Sequence, residues 1–182
     1  MNDQATIFAS GESIHDFIES SDTAPRPWIA VNWAATIIEC DYLVCQDWGM
    51  DAGKANGRVK KAIVEMKKQI IGSPTVVNLN LEPLLRSGAD KQLKQLFRYS
   101  CNIALVYARK VLGARRITTV GVDRITPPYP GAGLDRWPWE QAVWDSILKY
   151  YGDIEITKWT NRPNLKMSED VDTSVCSALP TA

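Results

Sequence analysis

Two spacings of apolar residues alternate along the chain. Short runs of four to six, TIFA at 6–9, WIAVN at 28–32, YLVC at 42–45, TVVN at 75–78 and ITTVGV at 117–122, have the length and β-branched content of buried strands. Between them, apolar positions recur every three or four residues. In 58–71, Val59, Ile63, Met66 and Ile70 fall on one side with lysines opposite, an amphipathic helix. In 100–113, Ile103, Ala104, Tyr107, Ala108, Val111 and Leu112 do the same, behind Ser100 as a capping residue and ahead of Gly113 as a stop. The first run is followed by SGESIHDFIES, a glycine turn and helix with Ser10 or Ser13 available to cap; a short helix is expected at 33–39, another at 137–151 and a last strand at 153–157. Segment 126–138, TPPYPGAGLDRWP, is too rich in proline and glycine for regular structure and follows a strand end, where lids and substrate loops sit.

Strands alternating with helices predict an α/β fold, a three-layer Rossmann-like domain with a mostly parallel sheet of about six strands. Residues 1–167 form one domain on this reading, with 168–182 a polar tail. Ligands of such sheets bind beyond the carboxyl ends of the strands. Those ends carry Ser10 and Gly11, Asn32, Asp47, Asn78 and Asp123, a convergence of small and polar groups on one rim.

Composition narrows the picture only modestly. With 45% hydrophobic and 23% charged residues, the chain reads as a globular protein. No run approaches the roughly 20 apolar residues of a membrane span, and the N-terminus has no basic-then-apolar leader, so no membrane partner and a cytoplasmic location are expected. Cys40, Cys45, Cys101 and Cys176 lack CxxC spacing, and all but the last lie in apolar surroundings, which predicts buried thiols rather than zinc ligands or disulfides. The formal net charge is zero, yet residues 54–124 hold roughly 15 basic against 4 acidic side chains. A basic middle suits an anionic ligand: nucleotide, sugar nucleotide or nucleic acid. It equally describes solvated helix faces.

The individual residues carry weaker signals. ASGES could offer helix-terminal N–H groups to a phosphate, although Glu12 would repel one; the alternative is a capping turn. Asn32 could read a base edge or a sugar hydroxyl, or merely begin a turn. Asp41, Asp47, Asp51 and Asp123 are candidates for a Mg²⁺ ion between substrate phosphates, with turn capping as the alternative. His15, the sole histidine, has apolar neighbours and reads as a surface or packing residue, so no Ser-His-Asp or Cys-His machinery can be assembled. Tyr129, Trp137 and Trp139 could stack on a base or sugar, while Trp139 and Trp144 could instead anchor the core.

Taken in order, IFASGESI, AVN, DYLVCQD, SCNIALVYARKVLGARRITTVGVD and KWTNRPNL resemble the Rossmann-type superfamily of hydroxymethylpterin pyrophosphokinase-like proteins and bacterial sialyltransferases, over residues 6–165. The resemblance implies a nucleotide- or sugar-nucleotide-dependent transferase, moving glycosyl or phosphoryl groups with Mg²⁺ as a candidate cofactor; a phage-type enzyme acting on a nucleobase or DNA is one version. It further implies nucleotide contacts from Ser10, Gly11, Ser13, Asn32 and Ser100, and catalytic roles for Asp47 and Asp123, with Asp47 also the candidate metal ligand. Ser10 and Glu12 stand where that superfamily usually has Asn and Pro, and no histidine lies in the C-terminal third. Those departures give a second expectation, a nucleotide-binding module without catalysis. A structural interaction protein with its tryptophans at an interface is a third.

Overall fold

The computed structural model describes residues 3–45, 57–77, 99–124 and 136–160. Six strands, β1 (Gln4–Phe8), β2 (Trp28–Val31), β3 (Tyr42–Val44), β4 (Thr75–Val76), β5 (Arg116–Val120) and β6 (Glu155–Lys158), form one sheet in the order β4-β3-β2-β1-β5-β6. Every adjacent pair is parallel. Four helices accompany them among the described residues: α1 (Ser13–Ser20), α2 (Gly57–Gln69), α3 (Ser100–Lys110) and α4 (Arg136–Tyr151), with a 3₁₀ turn at Asn32–Thr36. The α/β reading holds.

Parallel strands need crossovers, so both faces of the sheet are covered and the strands are apolar throughout rather than alternating. The pleat divides the core accordingly. Ala5, Ile7, Ile29, Val44 and Ile117 face one way and pack with Ile103, Leu105 and Val106 of α3 and Trp144 and Ile147 of α4. Phe8, Ala30, Leu43 and Val120 face the other way, against Ile14 and Phe17 of α1, Ala34 and Ala35 of the 3₁₀ turn and Met66 of α2. Phe8, Phe17 and Trp28 meet edge to face, and Trp159 closes on Phe17. Burial pushes the Cys40 thiol up to about 11, so it is a small core hydrophobe rather than a nucleophile. Among the described cysteines, Cys40 and Cys45 are buried and Cys101 is half-buried.

Several boundaries move for physical reasons. The first helix has Glu12 at its N-cap, and no side chain at that position makes a capping bond. Tyr99, not Ser100, is the N-cap of α3; Ser100 is the first helical residue. The last helix begins at Arg136, so Pro138 lies in its first turn, where a missing N–H costs nothing. The last strand is Glu155–Lys158, a mostly exposed edge strand shifted one to two residues from the expected span. Segment 126–135 and the tail from 168 lie outside the described residues.

An ion cluster ties α3 to the turn before β6. Arg109 donates to both carboxylate oxygens of Asp153 (Nε to Oδ1 2.9 Å, Nη2 to Oδ2 2.7 Å), and Arg115 approaches at 3.4 Å. The hydrogen bond from Arg109 holds the Asp153 carboxyl below its ordinary range, the nearby charges of Arg109 and Arg115 adding to it. A carboxyl depressed in the folded state stabilises above its unfolded pKa, and that contribution disappears as the pH falls through the folded pKa. Asp153→Asn is therefore expected to melt below the parent at pH 7. The two melting curves should converge as the pH falls through the folded-state pKa of Asp153; a gap that does not narrow with falling pH would show the pair is not its source.

Candidate functional site at the sheet switch point

Strands β1 to β4 step outward in one direction, and the chain then returns to lay β5 on the other side of β1. The crevice such a reversal leaves lies at the carboxyl ends of β1 and β5. Both ends carry glycine. The Ala9 N–H donates to the Val120 carbonyl and the Gly11 N–H to the Gly121 carbonyl, each at 2.8 Å, extending the β1–β5 ladder past the strands proper. A Cβ on Gly11 would stand 2.5 Å from the Gly121 oxygen and 2.7 Å from Asp123 Oδ2; one on Gly121, whose φ is +70°, would stand 2.0 Å from the Ala9 oxygen. Two backbones meet here at a separation only glycine allows.

Across that contact, Ser13 and Asp123 interlock. The Ser13 N–H donates to Asp123 Oδ2 at 2.9 Å and its hydroxyl to Oδ1 at 2.8 Å, while the same hydroxyl accepts from the Gly121 N–H at 2.9 Å. The carboxylate at the end of β5 thus caps α1, a helix without a cap of its own, and its charge faces the positive end of the helix dipole. The next two N–H groups, of Ile14 and His15, turn back to the carbonyls of Gly11 and Glu12. The amide expected to meet a phosphate meets Asp123 instead.

Gly11, Ser13 and Asp123 are therefore brought together, Ser13 bonded to Asp123 and Gly11 to Gly121. Ser10 is exposed beside them. Asn32 begins the 3₁₀ turn with φ +50° at the end of β2, and Ser100 opens α3, whose N-terminus the crossover brings to the same edge of the sheet. Asp47, Asp51 and Asn78 lie outside the described residues, as does Tyr129. Asp41 leaves the carboxylate set. It precedes β3, at the opposite edge of the sheet from Asp123, and is bound there by Arg26 (2.7 Å) and the Trp28 N–H (2.7 Å). No group of three or more metal-ligating side chains occurs among the described residues. His15 is exposed on α1, Trp144 is buried, and Trp139 is 72% exposed.

Beside the interlock, a cavity of about 230 Å³ opens between the ends of β5 and β6 and α4. Asp123, Arg124, Lys158 and Gln141 supply its polar lining, Val122, Trp144 and Ile156 its apolar wall. Arg124 has φ +56°, which turns it inward under α4, where its guanidinium lies 5.0 Å from the centre of the Trp144 ring. Nη1 donates to Gln141 Oε1 at 2.7 Å, and Gln141 is itself steadied by Asp145. Nε and Nη2 are shielded from water and make no hydrogen bond, although Nε forms a 3.5 Å ion pair with Oε1 of buried Glu140. Such an orphaned donor costs about 1–3 kcal/mol. Across α3, Asn102 donates to the Glu140 carbonyl at 3.5 Å and leaves its own oxygen unbonded, so a buried polar seam runs from Asn102 through Glu140 to Arg124.

Sequence reasoning missed Arg124, Lys158 and the seam. One signal was available: Glu140 and Trp144 are four apart on one helix, and Asn102 interrupts the apolar face of another. Comparison of the chain with protein-family models, with curated proteins and with solved structures returns no match. The class is defined by fold and site alone: a Rossmann-like α/β domain with its crevice at the β1–β5 switch point. No described helix is long and apolar enough to cross a membrane.

Proposed function

We propose that the protein binds a nucleotide or sugar nucleotide at the carboxyl edge of its sheet and transfers a glycosyl or phosphoryl group from it. The observation that carries the reading is the reversal of strand order at β1 and β5, with a cavity at that edge. The resemblance of the GESI turn and the Ser100–Asp123 stretch to nucleotide-dependent transferases points the same way. Ser10, Asn32 and Ser100 stand where base, sugar or phosphate contacts are wanted, and Mg²⁺ would have to come through carboxylates such as Asp47.

A second reading, binding without turnover, is favoured by Asp123 itself. Both its oxygens accept hydrogen bonds from Ser13, which leaves it poorly placed to take a proton from an acceptor. Calorimetric titration with ATP, CMP, UDP and GDP-sugars, with and without Mg²⁺, tests the shared premise. At least one ligand should bind with a Kd below about 1 mM, equivalent to roughly 4 kcal/mol. Heat-silent titrations backed by unchanged melting temperatures would remove both readings. Ligand recovered intact after incubation with nucleoside, sugar and DNA acceptors selects the second reading, and a transferred group selects the first.

A further inference from the structure

We propose that the cavity at the ends of β5 and β6 seats an oxyanion, the phosphate or carboxylate group of the ligand, between Arg124 and Lys158. The proposal rests on the reading that this edge of the sheet is the ligand site, and it names the chemistry that the site selects.

Three observations converge. First, Arg124 is the lining residue with unused hydrogen-bonding capacity. Nη1 bonds Gln141 and Nε has only a 3.5 Å ion pair with Glu140, so Nε and Nη2, the edge of the guanidinium that grips a two-oxygen anion side-on, make no hydrogen bond. Buried donors without a protein hydrogen-bond partner are uncommon, and a bound ion is one of their ordinary explanations. Trp144 beneath the guanidinium and Gln141 at Nη1 hold Arg124 beside the cavity. Because those nitrogens are shielded, seating the anion requires Arg124 to swing toward the cavity it already lines.

Second, the charges around the cavity balance, Arg124 beside Glu140 at 3.5 Å and Lys158 beside Asp123 at 3.9 Å, but both pairings are long. Asp123 and Glu140 are the nearby carboxylates, but Asp123 is already met by the Ser13 N–H and hydroxyl at the start of α1. Lys158 reaches it at only 3.9 Å and is 53% exposed, so its ammonium is free to turn toward an incoming anion. A cationic ligand would find the Asp123 oxygens taken and Glu140 buried. Third, about 230 Å³ is below the roughly 300–1,000 Å³ of a site for a whole drug-sized ligand. It suits one charged group with an adjoining ring edge against Trp144 and Ile156, the rest of the ligand extending along the rim toward Gly11.

The test uses the full chain with inorganic phosphate, pyrophosphate and acetate as probes, read by calorimetry and by perturbation of the Arg side-chain Nε–Hε resonances. Wild type is expected to bind phosphate or pyrophosphate, with the Arg124 resonance shifting. Arg124→Lys should weaken that binding about tenfold or more, and Lys158→Gln about threefold. Lys158→Gln sits on an exposed strand end and serves if Arg124→Lys proves unstable. Phosphate bound more tightly than acetate identifies a phosphoryl group, and the reverse order a carboxylate. Wild type binding none of the three probes overturns the proposal, as does unchanged binding in both variants. Nucleotide titrations on the same proteins separate the two ideas. Equal nucleotide affinity in wild type and both variants sinks the oxyanion seat and leaves nucleotide binding intact. Phosphate binding lost in Arg124→Lys, with no nucleotide bound by wild type, keeps the seat and removes the nucleotide.

Discussion

Gly121→Ala is expected to abolish the folded state or leave it several kcal/mol less stable, the largest effect of a single added methyl group among the described glycines. The added carbon would stand 2.0 Å from the Ala9 carbonyl oxygen and 2.8 Å from its carbon, and φ is +70°, a region that costs an L-residue about 1 kcal/mol or more before any clash is counted. The obstacle is backbone on the central strand, which cannot rotate aside as a side chain would. Relief requires parting β1 from β5, the pair that joins the two halves of the sheet. Urea denaturation should show a midpoint lowered by a shift corresponding to about 3 kcal/mol or more, or no cooperative transition at all. A variant within 1 kcal/mol of the parent would mean that the two strand ends do not approach as described.

Asp123→Asn is expected to cost about 1–3 kcal/mol, next in size. The amide keeps one oxygen for Ser13 but turns an NH₂ group toward a second donor, the Ser13 N–H or hydroxyl, and withdraws the charge that opposes the α1 dipole. The residue is 9% exposed at its side chain, so water cannot fully make up the loss. A double-mutant cycle with Ser13→Ala isolates the pair. The double mutant should be less unstable than the sum of the singles, and strict additivity would show that the two residues act independently. The same variant separates stability from chemistry. If Asp123 only caps α1, nucleotide affinity per folded molecule is unchanged; if it also orients an acceptor, turnover falls further than the folded fraction does.

The secondary structure was largely legible because it is written in local spacing. Period-3.6 apolar rows placed α2, α3 and α4 within a residue or two, and the β-branched runs placed β1, β2, β3 and β5, since strands buried on both faces have little choice but to be apolar. β6 was harder: only Ile156 among its four residues is even half-buried, so its pattern is faint. The rim of strand ends was legible for the same reason as the fold, because parallel order places Gly11, Asn32 and Asp123 on one edge. What each does there was not. Whether the α1 amides face a ligand or a carboxylate depends on a residue 110 positions away, and no local pattern encodes that pairing. Arg124 was hidden by its own type: an arginine after a strand reads as surface charge, and its burial follows from a left-handed backbone and a tryptophan twenty residues on.

The contact between Ser13 and Asp123 also sets an order of events during synthesis. A ribosome delivers β1 and α1 early, but α1 then has no cap, and β1, the centre of the finished sheet, is open along one side until residues 116–120 emerge. Contacts this distant in sequence form late and slow the folding of the whole domain. The first two-thirds of the chain therefore passes through a period with the edge of its central strand unpaired, the kind of template on which chains join one another. Completion of β5 closes that edge and brings Asp123 onto Ser13, so truncated products ending before residue 116 should aggregate rather than bind.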